Sequence, residues 1–120
     1  MIAAMLVLLL GAPLQRDTTQ ACDAVHTTVQ REDCLRSELT REEGLLRKEE
    51  RRVRAALTPP ALAEFDSSAT SWRTYREHEC KAVYRDYSGG SLAASELAGC
   101  QIELSKQRRL LLNRIYMVNK

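Results

Sequence analysis

Two interruptions, Thr58-Pro59-Pro60 and Ser88-Gly89-Gly90-Ser91, divide a chain otherwise written in helix-compatible residues, and they leave room for little except three helices. Proline disfavours the helical conformation of the residue before it and has no N–H to donate inside a helix, so the first helix must stop at Thr58. Pro60 suits the first position of the next helix, where an unbonded N–H would be orphaned anyway. Glycine tolerates the left-handed geometry of a helix C-cap, so the second helix ends before Gly89-Gly90. Helices joined by one tight turn and one short glycine-rich loop pack antiparallel. The expected fold is therefore all-α, a three-helix antiparallel bundle stapled by two disulfides.

Apolar spacing places the faces. The first segment, about Val25 to Leu57, carries Val25, Val29, Leu35, Leu39, Leu46, Val53 and Leu57, with Leu39, Leu46 and Val53 repeating every seven residues. That narrow stripe on a polar helix fits an element packing along one edge. Its run Arg47 to Arg54, RKEERRVR, reads as a solvated, ion-paired face. The second helix has the clearest stripe, Leu62, Phe65, Ala69, Trp72, Tyr75 or Arg76, Cys80, Val83 and Tyr87, at steps of three and four. A third helix from about Ser95 carries Leu97, Cys100 or Gln101, Leu104, Arg108, Leu111, Ile115 and Val118.

The first ten residues, MIAAMLVLLL, are uncharged and too short to cross a bilayer, which needs about 20 apolar residues. They resemble the apolar region of a secretory signal, and Thr19-Gln20-Ala21 supplies small residues before a cleavage point, so residues 1–21 are expected to be a signal peptide and 22–120 the mature helical domain. Acylation of Cys22 is less favoured, because Thr-Gln-Ala makes a poor lipobox. Four cysteines in a small exported domain predict two disulfides, and Cys22, Cys34, Cys80 and Cys100 include no close pair of the zinc-binding kind.

In an up-down-up bundle Cys34, Cys80 and Cys100 fall at the same end, so geometry leaves all three pairings open. Locality favours Cys22 with Cys34 and Cys80 with Cys100. The first pair requires a break, since twelve helical residues span about 18 Å and a disulfide allows only about 6 Å between Cα atoms. Thr27 and Thr28 supply cap-forming residues for it.

The 18 basic and 16 acidic residues leave a net charge of only +2, which gives no field to steer nucleic acid. His26 and His78 stand alone, without a nucleophile or metal-ligand partner at a motif spacing, so no catalytic residue, metal or cofactor is expected. A charge on or beside a packing stripe must be paired or solvated, and the expected arrangement is an ion pair between Glu79 and Arg108. The surface best suited to recognition is Tyr84, Asp86, Tyr87 and the loop Ser88, Gly89, Gly90 and Ser91. There, tyrosines supply rigid contact area beside adaptable hydroxyl and backbone groups.

One pattern spans the mature chain: Cys22; Cys34-Leu35 with Glu38 and Leu46; Trp72, Tyr75-Arg76 and Glu79-Cys80; Gly89-Gly90-Ser91; then Cys100, Leu104, Ser105 and Arg108. It resembles the lysozyme inhibitor LprI-like family of small exported bacterial proteins. The chain departs from the family where Glu42, Glu43, Arg47 and Glu50 stand after the second cysteine, and where Ala69 and Thr70 precede the tryptophan. The resemblance implies a secreted or periplasmic cell-envelope protein that binds lysozyme and performs no chemistry. The alternative is a structural or adaptor domain that binds another envelope protein or a glycan, with a cell-wall hydrolase ranking well below both.

Overall fold

The computed structural model describes residues 22–24 and 27–116, so the expected signal peptide and its cleavage point lie outside the described residues. Three helices follow: α1 (Thr28–Ala56), α2 (Pro59–Asp86) and α3 (Ala93–Tyr116). Thr27 caps α1, its hydroxyl accepting from the Gln30 N–H at 3.1 Å, which provides the break the first disulfide needs. Leu57 and Thr58 are extended and α2 opens on Pro59, one residue earlier than Pro60. At the far end of α2 the left-handed geometry starts at Ser88 (φ 52°) and continues at Gly89 (φ 67°), again one residue ahead of the glycines.

Cross-helix pairs fix the directions. Arg54 meets Asp66, Arg73 meets Glu50 and Arg76 meets Glu43, so α1 and α2 run antiparallel. Arg109 meets Glu42 and Arg31 lies 3.9 Å from Glu96, so α1 and α3 run parallel. Both disulfides form as locality suggested: Cys22–Cys34 with Cα atoms 5.6 Å apart and Cys80–Cys100 with 5.5 Å.

The packing is centred on α3, which lies against both other helices, whereas α1 and α2 face each other chiefly through long charged side chains. Two apolar clusters result. Leu46, Val53, Phe65 and Leu112 bury together near the Pro-Pro turn, with Leu57, Trp72 and Tyr116 against them. Cys22, Leu35 and Ile102 bury together at the disulfide end, with Cys34, Leu39 and Ala98 alongside.

A polar layer separates the clusters. Glu42 and Ser105 are buried, Arg109 bonds Glu42 through Nε and Nη2, and the Arg76 guanidinium donates at 2.9 Å both to Glu43 on α1 and to Ser105 Oγ on α3. One α2 side chain thus ties all three helices. Charge this deep is tolerated because each carboxylate has a guanidinium within hydrogen-bond reach.

The stripe expected on α3 describes only half of that helix's packing. Cys100 and Arg108 do turn to α2. Ala98, Ile102, Arg109 and Leu112 meet α1 or its cluster instead, and Leu111 and Ile115 remain exposed, at 36% and 56%. A central helix needs two buried faces, and a single-stripe reading finds one.

Candidate functional site

The recognition surface expected from sequence sits where α2 ends and α3 begins. Tyr84 and Tyr87 are 40% and 42% exposed, and Asp86 and Ser88 to Ser91 are exposed with them. Chain geometry holds this loop in place. The Ser88 N–H donates to Arg85 O at 2.9 Å, Gly90 N–H to Tyr87 O at 3.0 Å and Ala93 N–H to Gly90 O at 2.9 Å. A Cβ on Gly90 would stand 3.2 Å from Tyr87 O, so a larger residue there requires that carbonyl to give by a few tenths of an ångström. Cys80, one helical turn before Tyr84, bonds α2 to α3 immediately beneath.

Beside Tyr84 the surface is concave. A recess of about 230 Å³ is lined by Glu77, Lys81, Tyr84, Leu97 and Gln101. A second, of about 190 Å³, shares Leu97 and Gln101 and extends over Ala98 to Leu39 on α1. The two make one shallow cleft with α3 as its floor, open because α1 and α2 do not close on each other at this end. Sequence inspection missed Leu97 and Gln101 as surface residues. Their positions on the second-helix-facing stripe concealed that the first helix stands away from them.

Nearer the middle of α2, Trp72 is half-buried beneath two guanidinium groups, Arg76 at 5.3 Å and Arg108 at 5.8 Å from the ring centroid. A small hollow of about 140 Å³ lies there, lined by Glu43, Leu46, Arg47, Trp72, Arg73 and Arg76. In the run from Trp72 to Cys80, Trp72, Arg76 and Cys80 point inward at steps of four, whereas Tyr75 and Glu79 fall on the outer face, Tyr75 at 52% exposure.

The expected Glu79–Arg108 pair does not form. Arg108 Nη2 donates to Ser68 Oγ at 3.3 Å, and its guanidinium lies 5.9 Å from the Phe65 ring centroid as well as over Trp72. Glu79 is exposed about three helical turns from Ser68, too far along α2 for Arg108 to reach. Arg108 is therefore held by aromatic faces, and its Nε is buried without a hydrogen-bond partner among the described residues. Burial lowers its pKa from the ordinary arginine value, opposed chiefly by the attraction of Glu50.

His78 is exposed on α2, and His26 lies outside the described residues. Among the described residues no group of three or more His, Cys, Asp or Glu side chains is arranged to hold a metal, and no described helix is long and apolar enough to cross a membrane.

A helical bundle cross-linked by two disulfides at one end, with two half-exposed tyrosines and a hydrogen-bonded loop at that same end, belongs to the class of small disulfide-stapled domains. The family model described as Lysozyme inhibitor LprI matches residues 19–112, and the chain belongs to that family. No curated protein and no solved structure matches the chain.

Proposed function

We propose that this protein is an exported cell-envelope binding protein that captures and inhibits a lysozyme-type enzyme, without catalysis of its own, through the disulfide end of the bundle. Family membership supports the partner class. The observation that carries the location is the pair of half-exposed tyrosines, Tyr84 and Tyr87, beside a loop fixed by its own hydrogen bonds and anchored by Cys80–Cys100. Tyrosine offers a large amphipathic contact at low conformational-entropy cost, and a pre-ordered loop loses little further entropy on docking.

In this reading Asp86 and Ser88 to Ser91 present carboxylate, hydroxyl and backbone groups to the sugar-binding cleft of the enzyme, and the concave strip over Leu97 and Gln101 receives a neighbouring convex edge. Two disulfides fit an oxidising compartment, the secreted or periplasmic space reached through a signal peptide at residues 1–21. Purified oxidised chain is expected to slow lysis of a bacterial suspension in proportion to its dose. Unchanged lysis rates across several lysozyme types would refute the reading.

A further inference from the structure

On the other flank of α3 from Tyr84, at the same end of the bundle, the largest described recess, of about 440 Å³, opens between α3, the start of α1 and the Cys22–Asp23 segment. Its lining is charged and unbalanced. Three carboxylates, Asp23, Glu96 and Glu103, stand against one guanidinium, Arg31. Arg31 is already committed, donating from Nε to Asp23 at 2.9 Å with Nη2 3.9 Å from Glu96, so its charge offsets about one of the three. Among the described residues, Glu103 accepts a hydrogen bond only from the neutral Gln107 amide, at 3.2 Å.

A second observation points to a ligand. Ser95 lines the recess, is 1% exposed, and its hydroxyl has no hydrogen-bond partner among the described residues. A buried hydroxyl left unbonded costs free energy, and native folds keep few of them. Gly99 forms part of the wall, and a Cβ built there meets nothing within 4 Å, so the space above it is open. The Cys22–Cys34 bridge is what brings Asp23 to this site, because Cys22 is buried with Leu35 and Ile102 directly behind it.

We propose that this recess receives a basic side chain of the protein partner, its cationic head held among Asp23, Glu96 and Glu103 and donating to the Ser95 hydroxyl. Excess negative lining selects a cation, and an ammonium or guanidinium group brings the donors that carboxylates and a hydroxyl oxygen lack. The identity of the partner as a lysozyme-type protein rests on the function proposed above; the recess itself does not. It adds a second contact on the opposite flank of α3, so the partner would grip the disulfide end from both sides. It also assigns the Cys22–Cys34 bridge a part in building the site.

The test has two arms. Oxidised, isotope-labelled chain is titrated with N-acetyl-lysine methylamide and, as an uncharged control, with N-acetyl-norleucine methylamide, and backbone amide shifts are followed. Shifts at Glu96, Gly99 and Glu103 are expected with the lysine compound alone, fading with added salt and in a Glu96→Gln/Glu103→Gln variant. Ser95→Ala should weaken the same titration without altering net charge. No shifts at the recess, or equal shifts with the norleucine compound, would overturn the assignment.

In the second arm, Gly99→Met fills the recess from its open wall, and lysozyme affinity should fall roughly tenfold, the size of one charge-assisted hydrogen bond, with melting temperature kept. Wild-type affinity in that variant would overturn the partner's use of the recess. Lysine binding by a chain that binds no lysozyme would leave the recess standing and remove the proposed function instead.

Discussion

At the Pro-Pro end, Leu46, Val53, Phe65 and Leu112 bury against one another and Arg108 lies over the rings of Phe65 and Trp72, with no covalent link between helices. At the other end the apolar cluster is smaller, Cys22, Leu35 and Ile102, and two disulfides supplement it. Tyr84, Tyr87, the Ser88 to Ser91 loop and the recesses around Ser95 and Leu97 lie at the disulfide end, where exposed side chains and backbone do not contribute to a core. Covalent bonds supplement the smaller cluster, whereas the larger one holds its end by packing alone.

That contrast can be broken from either side. The largest effect is expected from Leu112→Ala, which removes a 2%-exposed side chain from the packed end and should cost about 3 to 4 kcal/mol in chemical denaturation. Hydrogen exchange in the Ser88 to Ser91 loop should change far less than exchange in α3 near Leu112. Replacing both members of the Cys80–Cys100 bridge with alanine opens a cross-link of sequence separation 20 and should cost about 3 kcal/mol, with the opposite exchange pattern. A loop as protected without the bridge as with it would end the idea that the covalent bond orders this end.

The polar layer between the ends is next. Arg109→Met strands Glu42, whose side chain is 3% exposed, and should cost about 2 kcal/mol, less than a fully dry pair because Arg109 keeps 26% exposure. Pairing it with Glu42→Leu should recover most of the loss, and the thermodynamic cycle measures the coupling.

The smallest effect concerns pH. Hydrogen bonds from Arg52 hold the Glu49 carboxyl below its ordinary value of 4.5, outweighing burial, which acts the other way. A depressed carboxyl contributes stability that is complete above the unfolded-state pKa and is lost as pH falls through the folded one. Denaturation midpoints should therefore drop slightly more steeply below pH 4.5 in the wild type than in Arg52→Gln.

Most of the architecture was legible because it rests on local chemistry. Pro59-Pro60 and Gly89-Gly90 mark the helix ends to within a residue or two, and Thr27 marks the start of α1. What escaped reading depends on neighbours distant in sequence. Glu42 and Glu50 look like members of a solvated charged helix, yet they fall on the same side as Leu35, Leu46 and Val53 and become buried once Arg109 and Arg73 arrive from other helices.

Glu42, Glu43 and Glu50 are the α1 partners of Arg109, Arg76 and Arg73, each carboxylate being met by a guanidinium from another helix. Arg108 misled for the opposite reason. A charge on a stripe suggests a carboxylate, but two aromatic rings and the Ser68 hydroxyl meet it instead. The recess around Ser95 had no local signal at all, since its wall joins Asp23 to residues more than seventy positions away.

The most direct test of the division of labour between the two ends is lysozyme inhibition measured side by side for Tyr84→Ser/Tyr87→Ser and Leu112→Ala, each alongside its melting temperature. The tyrosine variant is expected to melt like the wild type and lose inhibition, and Leu112→Ala to melt lower yet inhibit fully at temperatures where it remains folded. A tyrosine variant that inhibits as the wild type does would contradict the account.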